Sequence, residues 1–132
     1  MKSSRGFSLI ELIVAVTIVG IIAAIAFPTY MDQVTRSRRS DGQTAILNAA
    51  ALMEHYYTEN NTYVGATLAN LGITSATQQG YYTISLSALT TSTYTITATP
   101  VVGGPQASDA TCGALSLTQA NVKAPNPSVC WD

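Results

Sequence analysis

The sequence predicts an α+β protein built on one long N-terminal helix. The apolar half of this helix protrudes, and its C-terminal half carries an antiparallel sheet of three to four strands. Three observations predict this fold. Residues 7–27 are almost entirely apolar, residues 45–57 carry apolar side chains at helical spacing, and three segments between residues 81 and 118 alternate polar and apolar side chains. A chain of 132 residues has room for the helix and one small domain.

The apolar run is long enough to cross a bilayer as a helix, which requires about 20 residues. Between Leu12 and Phe27, Thr17 is the only polar side chain. Glu11 lies near the start of the run, although a carboxylate at the bilayer centre costs roughly 2.5 to 3.5 kcal/mol on insertion scales and less near an interface. An ionisable residue in such a segment indicates a functional position, so Glu11 requires an explanation.

Two ordinary export signals explain part of this N-terminus. Lys2 and Arg5 form a basic start, and Ala24-Ile25-Ala26 would suit a signal peptidase, which would release a secreted module. Alternatively, the uncut run would anchor a module in the membrane. Neither alternative explains Glu11, and the run is longer than the apolar region of a usual signal peptide, which has about 7 to 15 residues.

The stretch "RGFSLIEL", followed by the apolar run, resembles the class III signal of type IV pilins. The resemblance implies that residues 1–6 are a leader, that prepilin peptidase cuts after Gly6, and that Phe7 is then N-methylated. It makes Glu11 the signature glutamate of the family. Phe7 and Glu11 are four residues apart and share one helix face, so cleavage would place a positive amine in the same apolar layer as the carboxylate. Paired between subunits, the two charges would neutralise each other.

Residues 7–28 would then form a membrane helix before assembly and the filament core afterwards. Pro28 lacks a backbone donor, which predicts a kink or local break, and Gly20 lowers helix propensity by about 1 kcal/mol relative to Ala. In the resembling family this stretch can melt when subunits enter the filament. We therefore expect Gly20 and Pro28 to serve assembly.

A globular domain is expected over residues 29–132, and the helix should continue in it to about residue 59, with a left-handed cap at Asn60 or Asn61. Residues 30–41 are polar, which predicts a face that is exposed on the monomer and covered by neighbours in an assembly. Its basic side chains are Arg36, Arg38 and Arg39. Acidic residues flank them, so pairing between subunits or simple solvation is favoured over DNA contact, which is only weakly supported.

The apolar stripe after this polar stretch is wide enough to cover a sheet. Its members are Ala45, Ile46, Ala49, Ala50, Leu52, Met53, Tyr56 and Tyr57. A β-meander over about residues 81–118 provides that sheet, with predicted strands at 81–87, 93–99 and 114–118. The residues predicted to face inwards are Tyr82, Ile84, Leu86, Tyr94, Ile96, Ala98, Leu115 and Leu117. Pro100 and the Gly103-Gly104-Pro105 sequence predict a loop after the second strand.

Two cysteines, Cys112 and Cys130, predict one disulfide in an exported chain. Closing such a loop contributes about 3 kcal/mol in the chain-entropy model. The stretches "YTITATP", "CGALSL" and "CW" are similar to the globular domains of PilE-type major and minor pilins. In those proteins the two cysteines close a C-terminal loop on the filament surface, which implies such a loop over residues 112–130 here.

Neither composition nor motifs indicate an enzyme. His55 is the only histidine, and the sequence has no Cys-x-x-Cys pair, no dense carboxylate cluster and no phosphate-binding glycine loop. A formal net charge of −1 provides no strong field for nucleic acid. We predict no catalytic residue, no cofactor and no metal site.

The sequence thus predicts a major or minor pilin that serves adhesion, twitching motility or DNA uptake. Its partners would be other pilins, prepilin peptidase and the pilus assembly machinery, first in the inner membrane and then in the extracellular filament. A pseudopilin of a type II secretion system is one alternative. The Cys112–Cys130 loop fits pilins better, however, and the acidic calcium-site cluster common in major pseudopilins is missing. A secreted or membrane-anchored binding module is the other alternative.

Overall fold

The computed structural model describes residues 6–125 and 127–131, so most of the predicted leader lies outside the described residues. In chain order the elements are α1 (Leu9–Asn60), β1 (Tyr82–Ser87), β2 (Thr95–Pro100), β3 (Leu115–Thr118), β4 (Lys123–Ala124) and α2 (Pro127–Cys130). A four-stranded antiparallel sheet packs against the long helix, which confirms the predicted fold. The chain divides into two compact units, Met1–Val34 and Thr35–Asp132.

In the first unit, α1 is exposed on all sides from its start to residue 33. The hydroxyl groups of Thr17 and Thr29 donate to the carbonyl oxygens four residues earlier, so neither polar group needs an outside partner in an apolar environment. The prediction at Pro28 was a kink or a local break; the helix is continuous through this residue, so the break is wrong for the free subunit. Proline removes one backbone hydrogen bond, and the neighbouring turns retain theirs.

In the second unit, α1 supplies one wall of the core. Ile46, Ala49 and Met53 from the predicted stripe are fully buried, and the other stripe residues pack against them. The helix ends at Asn60, and Asn61 has a φ of 55°, as the predicted left-handed cap requires. Gly42 brings the helix close to the sheet, because a Cβ there would lie 3.0 Å from the ring of Tyr82.

The sheet is a meander with the strand order β1-β2-β3-β4. Its register places Ile84 opposite Ala98 and Ile96 opposite Leu117. All the predicted inward-facing residues are buried except Leu86, which is partly buried. One detail is corrected: Pro100 is the last residue of β2, opposite Tyr82, and the loop starts after it. Proline has no backbone N–H to donate to the neighbouring strand, and this loss matters least at the end of a strand.

Candidate functional site

The start of α1 is fixed by a contact between Ser8 and Glu11. Residues 6–8 are not helical, and the backbone N–H of Ser8 donates to Glu11 Oε2 at 3.0 Å. Ser8 is the N-cap and Glu11 the third residue of the helix, which is the arrangement of a capping box. In the free subunit Glu11 therefore caps its own helix. The Ser-x-x-Glu pattern is the sequence signal that predicts such a cap.

Glu11 also lies in a shallow groove on the apolar helix surface. The lining residues are Phe7, Ile10, Glu11, Val14, Ala15 and Ile18. The structure places Phe7 and Glu11 beside the same groove, but Phe7 precedes the first helical residue, Leu9, whereas the prediction placed both residues on the helix. Because Phe7 is 79% exposed and Glu11 is exposed, both are available to a neighbouring molecule.

Gly20 and Pro28 lie further along the same exposed surface. A Cβ at Gly20 would meet nothing within 4 Å, so no contact within the subunit requires a glycine there. The helix that contains both residues could cross a membrane by length and composition. Among the described residues, no group of His, Cys, Asp and Glu side chains is arranged to hold a metal ion.

The predicted disulfide between Cys112 and Cys130 is present, and both cysteines are buried. Each of them is connected to α1. Cys112 N donates to the carboxylate of Asp109, which is itself bound by Arg39 of α1. The side-chain amide of Gln43, also in α1, donates to the carbonyl oxygen of Cys130. The loop closed by the disulfide is therefore docked on the helix at both ends.

Arg39 corrects the expectation of an exposed basic run. It is 7% exposed and forms a two-pronged ion pair with Asp109, at 2.6 Å from Nε and 2.9 Å from the terminal nitrogen. Burial alone would raise the pKa of Asp109. Hydrogen bonds from Arg39 and from Cys112 N, together with the charge of Arg39, outweigh burial and hold the pKa below its usual value. Arg39 is thus committed to an intramolecular contact.

Asp41 is likewise buried, at 6% exposure, instead of lying on a solvated face. Its carboxylate accepts hydrogen bonds from the Thr77 hydroxyl and from Gln79 N, and so holds the segment that leads into β1. Arg39, Asp41 and Gln43 therefore hold three separate segments within five residues of α1, and we refer to these three residues as the helix anchors. Because their partners are far away in the sequence, no local sequence pattern predicts these contacts.

The end of α1 is held by a carboxylate and two tyrosines. The hydroxyl groups of Tyr63 and Tyr94 both donate to Glu54, and the ring of Tyr63 lies against those of Tyr57 and Tyr94. Desolvation, followed by the hydrogen bond to Glu54, raises the pKa of Tyr63 to about 12. This cluster joins the loop after α1, through Tyr63, and the residue before β2, Tyr94, to the helix.

Two cations of the second unit lie over aromatic rings. Arg38 Cζ is 5.5 Å from the ring centroid of Tyr81, and Lys123 Nζ is 5.4 Å from that of Trp131. The indole N–H of Trp131 donates to the carbonyl oxygen of Ala124, which fixes the ring beside β4. These pairs combine positive charge with flat apolar surface.

The two parts of the chain match two family descriptions. Residues 1–27 match the "Prokaryotic N-terminal methylation motif", and residues 28–116 match "Type IV minor pilin ComP, DNA uptake sequence receptor". The chain belongs to the type IV pilin family. The resemblance given by the N-terminal signal is thereby confirmed. This pilin is a structural protein and not an enzyme, and the alternative of a secreted or membrane-anchored binding module that only mimics the pilin signal is wrong.

Curated relatives and solved structures agree. The pilin is 38% identical to fimbrial protein EcpC of Eikenella corrodens over 62% of this chain and 52% of the relative. It is 43% identical to type IV major pilin PilE1 of Neisseria gonorrhoeae over 46% of this chain and 41% of the relative. It thus spans about half the length of the curated relatives it matches. A type IV pilin structure from Shewanella oneidensis aligns with a TM-score of 0.56 at 27% identity, covering 74% of this chain and 98% of that one.

Proposed function

We propose that this pilin is a structural subunit of a bacterial type IV pilus, held in the inner membrane as a prepilin and then polymerised into an extracellular filament through the apolar half of α1. The observation that carries the proposal is the exposure of every large apolar side chain from residue 7 to residue 27. Water is a poor environment for such a surface. Lipid before assembly and the helices of neighbouring subunits afterwards would cover it.

Processing is proposed at the bond between Gly6 and Phe7. The backbone of residues 6–8 is not helical, and the Ser8–Glu11 contact starts the helix only at Leu9. A non-helical backbone leaves this bond accessible to prepilin peptidase. The new amine of Phe7, once methylated, keeps its positive charge and remains close to the Glu11 groove.

Glu11 is proposed to pair with the amine of Phe7 on another subunit during assembly. In the free subunit Glu11 Oε2 accepts a hydrogen bond from the neutral N–H group of Ser8, which brings no positive charge to the carboxylate. Covering the surrounding groove would strand this charge in an apolar environment unless a cation arrives with the covering helix. A matching amine therefore sets the register between subunits.

Gly20 and Pro28 are proposed to let α1 adapt when it enters the filament. The side-chain space at Gly20 is empty in the free subunit, and Pro28 already removes one backbone hydrogen bond. Both residues lower the cost of unwinding the stretch between them. We expect this stretch to be helical in the membrane and at least partly unwound in the filament.

The first test is the intact mass of the protein from its native host, together with the sequence of its N-terminal peptide. We expect a chain that begins at methylated Phe7. A chain that begins at Phe27 would mean cleavage by signal peptidase after Ala26, and it would overturn the proposal.

A second test separates the two contacts of Glu11. Glu11→Gln can still accept the Ser8 hydrogen bond but carries no charge, whereas Glu11→Ala loses both. We expect both variants to enter filaments at least tenfold less than the parent, measured by quantitative blotting of sheared filaments. Glu59→Ala removes an exposed carboxylate near the other end of α1 and should not change incorporation. Normal incorporation of Glu11→Gln would rule out charge pairing.

We propose a minor rather than a major pilin, because the family description that matches residues 28–116 names a minor one. The match of residues 28–116 to a pilin description also favours a pilin over a pseudopilin. Mass spectrometry of purified filaments from the native host would test the subtype. We expect this chain to be present at well below one copy for every ten copies of the main subunit.

DNA contact is a second candidate function, favoured by the same family description, which names a DNA uptake sequence receptor. Among the basic side chains, Arg39 forms a buried ion pair with Asp109, whereas Lys123 lies over the ring of Trp131 near the protein surface. Cations bind phosphates, and aromatic rings stack on bases. We therefore propose that Lys123 and Trp131 contact DNA.

This contact can be tested with the oxidised full chain in detergent and a short labelled duplex or single strand. Trp131→Ala and Lys123→Gln should each weaken binding about fivefold or more, and Lys123→Gln should also reduce the dependence of binding on salt. Tyr30→Ala removes an exposed ring from the apolar half of the chain and should bind like the parent. Unchanged binding by the first two variants would remove the DNA proposal without affecting filament assembly.

A further inference from the structure

We propose that the disulfide of this pilin forms on a subunit that has already folded, with Cys130 reacting first with the oxidant and Cys112 completing the bond. The inference concerns the order of two chemical steps. It rests on how the two cysteines are connected to α1 and does not depend on filament assembly or DNA contact.

Cys112 is the more firmly held of the two cysteines. Its own N–H donates to Asp109 Oδ1 at 3.2 Å, and the N–H of Gly113 donates to the backbone oxygen of Asp109 at 2.9 Å. Asp109 in turn is bound by both prongs of Arg39, with little solvent access to either side chain. Gln106 also donates to the same carboxylate. A buried network of this kind opens only when the surrounding fold opens.

Cys130 is held by weaker elements. It is the last residue of α2, a helix of four residues, which is too short to be stable by itself. Its carbonyl oxygen accepts a hydrogen bond of 2.8 Å from the Gln43 amide, and neither of these groups is charged. Pro127 and Ser128 of the same helix are exposed. Cys130 is 1% exposed, and Val129 and Trp131 pack against the core beside it. The segment formed by residues 127–131 can nevertheless open without separating α1 from the sheet, and its opening exposes the Cys130 thiol.

The helix also sets the distance between the two cysteines. Arg39 and Gln43 are four residues apart, which corresponds to a rise of about 6 Å along α1. The Cα atoms of Cys112 and Cys130 are 5.6 Å apart. The spacing of Arg39 and Gln43 along α1 therefore matches the distance between the two cysteines. When α2 docks through Gln43, Cys130 returns to a position where the Cys112 thiol can reach its sulfur.

The chemistry follows as two thiol–disulfide exchanges with an oxidant that is itself a disulfide. The Cys130 thiolate attacks one sulfur of the oxidant, the S–S bond of the oxidant breaks, and one oxidant thiolate leaves. After α2 docks, the Cys112 thiolate attacks the Cys130 sulfur and displaces the second oxidant thiolate. Two protein thiols are oxidised to one disulfide, the oxidant is reduced to two thiols, and the two protons lost by the protein thiols end on the two thiols of the oxidant.

The test uses the reduced full chain in detergent micelles, with glutathione disulfide as the oxidant and acid quenching at short times. Peptide mass mapping then counts glutathione on each cysteine. We expect at least tenfold more on Cys130 than on Cys112, and a ratio near one in denaturant, where the fold protects neither. Equal labelling in micelles, or earlier labelling of Cys112, would overturn the proposal.

Gln43→Ala tests the closing step. Because the variant loses the hydrogen bond that docks Cys130, we expect the mixed disulfide to form at least as fast as in the parent and the closing step to slow about tenfold. Asn48→Ala, at an exposed position five residues further along α1, should close like the parent. Trp131 is the only tryptophan of the chain and follows Cys130 directly, so its fluorescence reports docking in the same samples. Closure of Gln43→Ala at the parental rate would refute the docking role.

Discussion

The two halves of α1 reverse the usual placement of side chains. In the first half, apolar residues such as Ile13 and Phe27 are exposed, whereas in the second half the charged residues Arg39 and Asp41 are buried. A soluble domain normally does the opposite. The two halves differ in what covers them. The first half is exposed in the free subunit, whereas the second half is covered by the rest of its own chain.

The comparison teaches that hydrophobicity and folding are separate properties along this helix. Among the described residues, the buried core of the second unit draws its helical members, Ile46, Ala49 and Met53, from the less apolar half of α1. The charged part holds the surrounding segments in place. Four predictions test this division, from the largest expected effect to the smallest.

Removing residues 1–28 should abolish polymerisation and leave the second unit folded. The core and the disulfide lie entirely within the retained residues. We expect a monomer on size-exclusion chromatography without detergent and a cooperative thermal transition by circular dichroism. A truncated chain without such a transition would show that the two halves do not fold independently.

Arg39→Ala should destabilise the second unit by about 3 to 5 kcal/mol, because it leaves the buried carboxylate of Asp109 without its cation. Arg36→Ala, three residues earlier on an exposed part of α1, should change the free energy of unfolding by less than about 0.5 kcal/mol. Urea unfolding of both variants measures the difference. A similar loss in the two variants would mean that burial of Arg39 does not distinguish it.

The same substitution at two glycines of α1 should have opposite effects. Gly42→Ala places a Cβ 3.0 Å from the buried ring of Tyr82 and should cost about 1 to 3 kcal/mol. Gly20→Ala meets no atom within 4 Å and should stabilise the free helix by about 1 kcal/mol. Thermal unfolding for Gly42→Ala and amide hydrogen exchange around residue 20 measure the two effects. Destabilisation by both would contradict the division.

Acid should weaken the second unit through Asp109. The pKa of this carboxyl group is lower in the folded protein than in the unfolded chain, where an aspartate has a pKa of about 3.9. Its contribution to stability is therefore fully present above the unfolded pKa and is lost as the pH falls through the folded pKa. Urea unfolding between pH 5 and 2 should show the loss for the parent. Asp109→Asn, which cannot titrate there, should show a flatter curve.

The predictable parts of the fold are those with local or periodic signals. The stripe around Ile46, the end of α1 at Asn60 and the alternation of β1 to β3 all follow from neighbours in the sequence. The strand β4 has two residues, which is too short for any alternation to be visible.

The candidate site divides in the same way. The spacing of Phe7 and Glu11 was evident from the sequence, and the Ser8 cap could have been recognised by the Ser-x-x-Glu pattern. The Arg39–Asp109 pair could not be predicted from the sequence, since its members are 70 residues apart and either charge alone is typical of a solvated surface. Long-range polar contacts leave no periodic trace in a sequence.

The loop after β2 has an exposed tip, and its downstream end is held on α1. Val102 is 96% exposed, whereas Gln106 and Asp109, a few residues later, are buried and bound to α1. The chain is thus fixed downstream of a tip that touches little. A short peptide tag inserted after Val102 would leave every anchor in place, so this loop offers a handle for following single subunits by light microscopy.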